Sequence, residues 1–443
     1  MAIHLRRGAA AAAAYFGALA SGAAAVIVNE QLQPRQIEHI LNHSGAVAMI
    51  VEEELAGRLD RPLQTEARTL DGAGLLGGTP AEEAVQRGGG DVAQIIYTSG
   101  STGLPKGVTL SHSNVWAGMQ AVTTYLEISP TDRIASLLPF SFDYGLNQLL
   151  CAAGTGACLV VERSPVAARI VRSLNEREAT VLAAVPPLWF QLLDTDSFHH
   201  PIESLRAMTN SGGRLPKEAV AALRKAQPHA GLILMYGLTE AFRSTYLPPD
   251  QVDSKPTSIG RAIPGAEILV LDEEMSPCGP GEHGQLVHRG PTVALGYWED
   301  PEATDRVYGP NPLPSKEAPE DERVVFSGDL VYRDEDGDLF FVGRNDSMIK
   351  TMGYRVSPDE VAEVLYASGQ VVEAVVTSEP DAKKGAIIVA YVVLREDGSL
   401  ERVQELASQE LPRYMRPARI EQRTELPRTA SGKHDAKAMR DGQ

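Results

Sequence analysis

The chain has 443 residues, of which 43 % are hydrophobic and 22 % charged, so it is too long for one small module and too apolar for a disordered chain. Its 58 acidic residues outnumber the 41 Lys and Arg residues, and the formal net charge of −17 does not favour binding to nucleic acid or to an anionic membrane. Three cysteines without metal-ligand spacing exclude a disulfide framework and a structural zinc site, and they fit a reducing cytoplasm.

The N-terminal apolar stretch, residues 8–28, follows Arg6 and Arg7 and so resembles a signal peptide or a membrane span. Most of it is Ala and Gly, whereas a spanning helix needs about 20 strongly apolar residues. We therefore predict a buried helix at 9–19 and a strand at 23–28.

Short apolar runs alternate with amphipathic stretches up to about residue 258. The apolar runs predict strands at 46–51, 93–97, 134–138, 157–161, 181–185 and 232–235. The amphipathic stretches predict helices at 35–43, 113–125, 164–176 and 217–226. This alternation predicts an α/β fold with parallel-type sheets and crossover helices.

The pattern changes near residue 259. Short strands between Gly and Pro turns predict a smaller, more antiparallel β subdomain over about 259–343, which ends a large N-terminal domain at 1–343. Residues 309–323 are predicted as an exposed loop. The remaining residues, 344–443, are predicted to form a separate small α+β domain.

A Gly-, Ser- and Thr-rich loop directly follows the strand predicted at 93–97. Such a loop binds phosphate oxygens with its backbone N–H groups and hydroxyls. It is not a Walker A loop, because Gly107 follows Lys106 where that motif has Ser or Thr. The candidate phosphate-binding residues are Thr98, Ser99, Gly100, Ser101, Thr102, Gly103 and Lys106.

This loop resembles the phosphate loop of the adenylate-forming (AMP-binding) superfamily, which includes acyl-CoA synthetases and amino-acid adenylation enzymes. Four more segments resemble motifs of that family in the expected order, namely Tyr236-Gly-Leu-Thr-Glu240, Ser327-Gly-Asp-Leu330, Gly343-Arg-Asn-Asp346 and Pro427-Arg-Thr-Ala-Ser-Gly-Lys433. The matches cover nearly the whole chain. The subgroup with the greatest resemblance is the AMP-forming ligases associated with exosortase A systems.

The resemblance implies ATP as a substrate together with Mg²⁺. Tyr236 would stack on adenine, Asp329 would accept bonds from two ribose hydroxyls, and Arg344 would add a donor. Thr239 would bond the α-phosphate, and Glu240 would be the metal ligand. Taken alone, Tyr236 also fits a core residue and Asp329 a turn residue.

The resemblance also implies two half-reactions in one site. Lys433 would stabilise charge on the carboxylate and α-phosphate during adenylation. Asp346 would be the hinge of a mobile C-terminal lid domain, and Gly353 would line a tunnel for the thiol of CoA or of a carrier protein's phosphopantetheine. The alternatives are a solvated lysine and an ordinary turn aspartate.

The segment 139–147 resembles the part of amino-acid adenylation enzymes in which a carboxylate binds the substrate's α-ammonium group. Asp143 would be that carboxylate, because a buried charge needs a partner. By the same match, the residues that would approach the acid are Tyr144, Asn147, Ala184, Ser211, Met235 and Arg243. Arg243 either binds a second carboxylate of the substrate or pairs with Asp143 or another neighbour.

The expected function is ATP-dependent activation of a carboxylic acid, in particular an amino acid, to an acyl-adenylate, followed by transfer to CoA or a carrier protein in the cytoplasm. No nucleic acid and no membrane span is expected. The alternative is an N-terminally truncated, non-catalytic homologue that binds a nucleotide or a partner. On either view the chain is expected to be N-terminally truncated relative to the family, so that the first subdomain is incomplete and residues 1–5 form a strand without neighbours, which leaves an exposed apolar edge.

Overall fold

Helices and strands alternate through most of the chain in the computed structural model, which describes residues 1–58, 62–77, 83–98, 105–313, 322–344, 349–351, 354–381, 385–411, 413–428, 434–435 and 438–439. The helices are α1 (Ala9–Ala20), α2 (Pro34–His43), α3 (Glu53–Ala56), α4 (His112–Tyr125), α5 (Asp143–Thr155), α6 (Ala167–Glu176), α7 (Pro186–Leu193), α8 (Lys217–Ala226), α9 (Pro301–Val307), α10 (Pro358–Ala367) and α11 (Leu400–Glu410).

The strands follow in the same numbering. They are β1 (Ala2–His4), β2 (Ala25–Ile27), β3 (Ala48–Val51), β4 (Arg68–Asp71), β5 (Val92–Thr98), β6 (Lys106–Ser111), β7 (Arg133–Ser136), β8 (Cys158–Val161), β9 (Val181–Ala184), β10 (Ala207–Asn210), β11 (Gly231–Tyr236), β12 (Thr245–Leu247), β13 (Ser258–Ala262), β14 (Glu267–Leu271), β15 (His283–Arg289), β16 (Gly296–Tyr297), β17 (Tyr308–Pro310), β18 (Arg323–Arg333), β19 (Leu339–Arg344), β20 (Ile349–Thr351), β21 (Tyr354–Val356), β22 (Val371–Asp381), β23 (Gly385–Leu394) and β24 (Arg419–Gln422).

The first sheet has the strand order β16-β6-β5-β2-β1-β3-β4. The strands from β5 to β4 are parallel, whereas β6 and β16 are antiparallel to their neighbours. The exposed edge expected at residues 1–5 is wrong, because β1 lies between β2 and β3 and its three residues are buried. The two neighbouring strands, β2 and β3, come later in the sequence. Helices α1 and α2 precede them and provide the crossover connections that parallel strands need.

The second sheet joins two patterns of pairing. Strands β8-β7-β9-β10-β11 are parallel, and the order then continues through β12, β13, β19, β18, β15 and β14 in antiparallel pairs. The predicted α/β class is therefore confirmed. The antiparallel pairing begins at β12, earlier than the change predicted near residue 259. The antiparallel strands extend the same sheet.

The predicted buried helix near the N-terminus is confirmed as α1, whose Ala11, Ala14, Tyr15 and Ala18 are buried. Tyr15 donates a hydrogen bond to Gln94 of β5 at 2.6 Å, which attaches the helix to the sheet. Among the described residues, no helix is both long and apolar enough to cross a bilayer.

Helix α4 connects the first sheet to the segment before β16. Ser111 accepts a hydrogen bond from the Asn114 backbone at 3.1 Å, and Asn114 Oδ1 accepts one from the Ser111 backbone at 2.9 Å, so the two residues form a capping box. The Asn114 amide also donates to the carbonyl oxygens of Pro291 and Val293 at 2.8 and 2.9 Å. These bonds fix the chain that leads to Tyr297.

The C-terminal strands β22, β23 and β24 form a separate sheet, against which α10 and α11 pack with their own apolar core. Helix α10 also reaches the large domain, because Glu363 forms an ion pair with Arg214 at 3.1 Å. This ion pair lies beside a cavity described below.

His288 of β15 is fully buried between two hydroxyl groups. Its Nδ1 lies 3.1 Å from Ser244 Oγ, and its Nε2 lies 2.9 Å from Thr292 Oγ1. Burial lowers the pKa of His288 from 6.5 to about 3. The folded state therefore excludes a proton that the unfolded state binds below pH 6.5.

We expect this histidine to make folding pH-dependent. Because its folded-state pKa is depressed, stability is complete above pH 6.5 and falls as the pH is lowered towards 3, by up to about 1.4 kcal/mol per pH unit. In His288→Gln the slope of the unfolding midpoint against pH should be shallower over that window. The exposed control His229→Gln should keep the slope, and an unchanged slope in His288→Gln would contradict the expectation.

Candidate active site

Three residues from distant parts of the chain meet at the carboxyl end of β11. Tyr236 ends that strand, and Asp329 of β18 pairs across the sheet with Arg344 of β19. The Tyr236 hydroxyl donates to Asp329 Oδ2, and Arg344 Nη1 lies 3.6 Å from Asp329 Oδ1. The structure thus brings together the three residues that the sequence predicts around the nucleoside.

The backbone of the Ser-Gly-Asp segment holds this carboxylate. Gly328 has φ +72°, a left-handed conformation that side-chain-bearing residues rarely adopt. The Asp329 N–H donates to Ser327 Oγ at 3.0 Å, and Ser327 donates in turn to the Leu286 carbonyl at 2.6 Å. Asp329 is therefore fixed by backbone geometry as well as by its side-chain partners.

A second cluster unites Lys106, Glu240 and Tyr297. The Tyr297 hydroxyl donates to Glu240 Oε1 at 2.6 Å, and Lys106 Nζ lies 5.6 Å from the centre of the Tyr297 ring and 3.7 Å from Asp300 Oδ2. Burial, followed by the charge of Glu240, raises the pKa of Tyr297. The phenol therefore stays protonated and keeps donating to Glu240.

The two clusters lie close together along the chain. Tyr236 of the first cluster ends β11, and Glu240 of the second lies four residues later in the 3₁₀ turn that follows. The positive charge of Arg344 lowers the pKa of both Tyr236 and Tyr297, against the larger raising effect of burial on each.

The candidate phosphate loop begins and ends on paired strands. Thr98, the last residue of β5, pairs with Lys106, the first residue of β6. Ser99, Gly100, Ser101, Thr102 and Gly103 lie outside the described residues. The pairing brings both ends of this loop to one place at the edge of the Glu240 cluster.

The residues predicted around the acid come from several elements. Asp143, Tyr144 and Asn147 lie on α5, Ala184 ends β9, Ser211 directly follows β10, Met235 lies on β11, and Arg243 lies between the 239–241 turn and β12. The Asp143 carboxylate accepts a hydrogen bond from the Tyr144 N–H at 2.7 Å at the start of α5, and Asp143 is only 8 % exposed. Arg243 is 3 % exposed, donates to Ser211 Oγ at 2.8 Å, and stacks on the Tyr144 ring at 4.9 Å. No carboxylate of the described residues forms an ion pair with Arg243, so its pairing with Asp143 is wrong.

Several other side chains contact these residues, which together form the predicted acid pocket. Asn147 Oδ1 accepts from Cys151 Sγ at 3.6 Å, and the Tyr125 hydroxyl contacts Met235 Sδ at 2.9 Å. Tyr125 also stacks on another tyrosine, Tyr246, at 4.3 Å. Cys151 and both tyrosines were not predicted from the sequence, because each occupies an ordinary helix or strand position without a motif.

The residues assigned to the second half-reaction and to the catalytic loop are Asp346, Gly353 and Lys433, and they lie outside the described residues. The chain on both sides of 429–433 is described. Arg428 donates to Glu373 Oε1 at 2.7 Å, and His434 Nε2 lies 3.0 Å from Glu373 Oε2. One carboxylate therefore binds the residues on both sides of this segment.

A cavity of about 300 Å³ lies between the large domain and the C-terminal sheet. Phe142 and Gly212, the neighbours of Asp143 and Ser211, line it on one side, and Arg428 and His434 line it on the other. Arg428 and His434, on either side of the segment that contains Lys433, therefore line the same cavity as the neighbours of Asp143 and Ser211.

Three aspartates in the turn between β18 and β19 are close enough to hold a cation, but a lysine already occupies their centre. Lys255 Nζ lies 2.6 Å from Asp334, 2.8 Å from Asp336 and 2.6 Å from Asp338. These carboxylates raise the pKa of Lys255, which keeps it charged. The group is a structural ion cluster.

Comparison with known proteins matches two parts of the chain to family profiles. The profile of the family described as "AMP-binding enzyme" matches residues 1–298, and that of the "AMP-binding enzyme C-terminal domain" matches residues 360–433. The resemblance to the exosortase-associated subgroup stays a prediction.

Related sequences include single ligases and large synthetases. L-proline–[L-prolyl-carrier protein] ligase of Pseudomonas fluorescens is 33 % identical over 79 % of this chain and 68 % of its own length. A long-chain-fatty-acid–CoA ligase of Salmonella typhimurium is 28 % identical over 97 % of this chain and 82 % of its own length. One polypeptide of the linear gramicidin synthase of Brevibacillus parabrevis is 30 % identical over 96 % of this chain, which spans only 5 % of that protein.

Two solved structures show the same fold. The o-succinylbenzoate CoA synthetase of Bacillus subtilis, in complex with an acyl-adenylate intermediate, has a TM-score of 0.85 at 26 % identity and covers 100 % of this chain and 88 % of its own. An anthranilate CoA ligase in complex with anthranoyl-AMP has a TM-score of 0.88 at 26 % identity and covers 99 % and 87 %. The chain therefore belongs to the family of AMP-binding enzymes.

Proposed function

We propose that this chain activates a carboxylic acid, in particular an amino acid, with ATP. The acid's carboxylate oxygen attacks the α-phosphorus, the bond to the β-phosphate oxygen breaks, and acyl-adenylate and pyrophosphate form. A phosphopantetheine thiol then attacks the carbonyl carbon, and AMP leaves. The observation that carries the proposal is that Lys106, Glu240 and Asp329, from three separate stretches, lie in two clusters whose Tyr236 and Glu240 are only four residues apart.

The nucleoside cluster suits the recognition of adenosine. A carboxylate has about four acceptor positions, so Asp329 can bind ribose hydroxyls while it keeps the hydrogen bond from Tyr236. That hydrogen bond also fixes the ring of Tyr236, which offers a flat apolar face to adenine. Arg344 balances the charge of Asp329 and lies where it can donate to the nucleotide.

The Glu240 cluster suits a magnesium triphosphate. Glu240 offers a carboxylate whose Oε1 is oriented by Tyr297, and Mg²⁺ prefers such oxygen ligands while it retains several waters. The ion would neutralise triphosphate charge when bound. Thr239 precedes Glu240 in the same 3₁₀ turn and would bond the α-phosphate, and Lys106 adds a positive charge at the end of the phosphate loop.

The acid pocket supports an amino acid. Asp143 is buried and forms no ion pair with another described residue, so the α-ammonium group of a substrate would supply the opposite charge. A relative named as a ligase of L-proline and a carrier protein also supports an amino acid and a carrier-protein acceptor. A relative named as a CoA ligase supports CoA as the acceptor.

The second half-reaction is assigned to a movement of the domain at 344–443 relative to the domain at 1–343. Asp346 would be its hinge, and Gly353 would line the tunnel for the thiol. The separate apolar core of the C-terminal sheet and the separate family match over 360–433 support such a unit. In this arrangement Lys433 would serve adenylation and would leave the site afterwards.

We place the activity in the cytoplasm. Cys151, Cys158 and Cys278 are all free, as a reducing compartment would keep them. The proposed substrates, ATP and CoA or a carrier protein, fit the same location.

The proposal is tested by acid-dependent exchange of labelled pyrophosphate into ATP. We expect exchange that requires Mg²⁺ and one of the acids in a panel of proteinogenic amino acids, dicarboxylic acids and fatty acids. A folded sample that exchanges with none of them, yet binds ATP, would support the non-catalytic alternative. A preference for long-chain fatty acids would contradict the role of Asp143.

Asp143→Asn tests the ammonium contact. It keeps the size of the side chain and removes the charge, so kcat/KM for the amino acid should fall by about 100-fold. The corresponding acid without an amino group should lose far less. The measurement is pyrophosphate exchange with both acids, and an equal loss for the two would contradict the assignment.

A further inference from the structure

The guanidinium of Arg243 is a buried charge without a counter-ion among the described residues. It is 3 % exposed, its Nη1 donates to Ser211 Oγ, and its Nε has no hydrogen-bond partner. An uncompensated buried cation is costly, so such groups in proteins are paired or bind a ligand. Serine is neutral and satisfies only one of the five N–H donors.

A second unsatisfied donor lies about one helical turn from the Tyr144 ring on which Arg243 stacks. Asn147 Nδ2 is buried without a partner, while Asn147 Oδ1 is occupied by Cys151. Arg243 stacks on Tyr144, which precedes Asn147 by three residues on α5. It also acts electrostatically on Cys151, although burial raises the pKa of that thiol to about 12. The group thus offers hydrogen-bond donors and positive charge, which an anionic oxygen would satisfy.

The backbone before Arg243 is held in an unusual conformation that fixes this position. Phe242 has φ +63° and ψ −61°, and the Arg243 N–H donates to the Ala241 carbonyl at 2.6 Å, which closes a γ-turn. The Phe242 ring packs on Gly118, where an added Cβ would lie 2.3 Å from the ring. Strain of this kind at a bulky residue is typical of functional sites.

Three ligand chemistries can be compared for this position. An apolar acyl chain would leave the guanidinium desolvated and unpaired, and a neutral amide would satisfy hydrogen bonds but not the charge. A carboxylate would supply two acceptor oxygens and the missing negative charge in a geometry that matches the guanidinium. Tyr144, Met235 and Arg243 are all buried, and such close packing favours a short acid over a long acyl chain.

We propose that the acid activated here carries a second carboxylate, which stays ionised and binds Arg243 while the first carboxylate attacks ATP. The substrate class is then a short dicarboxylic acid, and with Asp143 as ammonium partner it is an acidic amino acid. This inference rests on the proposed function, because it concerns the acid that the same site activates.

The test compares acids of equal length that differ only in the second carboxylate. Glutamate is paired with glutamine, aspartate with asparagine, and succinate with its monoamide, in pyrophosphate exchange with the full chain. We expect one diacid to exceed its amide partner in kcat/KM by about 100-fold or more. Equal or better exchange with the amide, or with an apolar acid, overturns the inference and leaves the proposed function intact. Absence of exchange with every acid counts against the proposed function itself.

Variants of Arg243 separate recognition from a structural role. Arg243→Met should lose the preference for the diacid, and its activity with the amide should change much less. Arg243→Lys keeps the charge without the forked donors and should retain part of the preference. If Arg243→Met does not fold, Ser211→Ala removes the hydrogen bond to Arg243 and should reduce kcat/KM for the diacid more than for the amide. An equal loss for diacid and amide in these variants contradicts the inference.

Discussion

Asp329→Asn is expected to lower kcat/KM for ATP by about 100-fold and to weaken AMP binding to a similar degree. The carboxylate accepts the Tyr236 hydrogen bond and lies opposite Arg344, and ribose hydroxyls need the remaining acceptor positions. An amide presents N–H donors at one of those positions and removes the negative charge opposite Arg344. Initial rates at saturating acid and calorimetric titration with AMP measure the two effects.

The matched control for this substitution is Asp336→Asn. Asp336 lies in the turn between β18 and β19 and its side chain is 72 % exposed, so its ion pair with Lys255 is weak. We expect it to leave AMP binding unchanged. If both variants lost the same activity, the effect would come from the stability of the β18–β19 hairpin, and the role of Asp329 in binding ribose would be wrong.

Lys433→Ala is expected to slow adenylation by about 10²–10³-fold while ATP still binds. The reason is electrostatic, since the lysine would offset the charge that develops on the carboxylate and the α-phosphate. Thioester formation from added acyl-adenylate should remain close to that of the unaltered protein. Pyrophosphate exchange and single-turnover thioester formation measure the two half-reactions separately.

Lys217→Ala is the control for the loss of one lysine, because Lys217 is an exposed residue at the start of α8. It should leave both half-reactions unchanged. The role assigned to Lys433 would be contradicted by equal losses in adenylation and thioester formation, or by unchanged exchange.

Sequence periodicity predicted much of the fold because several elements bury only one face. Helix α8 lies at the predicted residues 217–226, and α6 lies within the predicted range. Helix α5 was not predicted, because ten of its thirteen residues are buried. It therefore lacks the exposed polar face whose spacing indicates a helix in the sequence. The position of β1 inside the sheet was also missed, because strand order depends on pairing between distant segments.

Residues of the candidate site were predictable where they belong to a sequence motif of the family. Tyr236, Asp329 and Arg344 belong to separate motifs, and the structure brings them together. Tyr297 was missed although it bonds Glu240 and lies beside Lys106, because its position depends on the pairing of β16 with β6. The lack of an ion pair between Arg243 and any described carboxylate was also not predictable, because the sequence does not show whether two buried charges come within contact distance.

The central claim is that the acid's own carboxylate captures the AMP part of ATP. An acid labelled with ¹⁸O in its carboxylate should transfer one labelled oxygen to AMP for each thioester formed, because the bridging oxygen stays with AMP when the thiol displaces it. Mass spectrometry of the nucleotide products measures this transfer. Label found in orthophosphate together with ADP, or unlabelled AMP alongside thioester, would contradict the account.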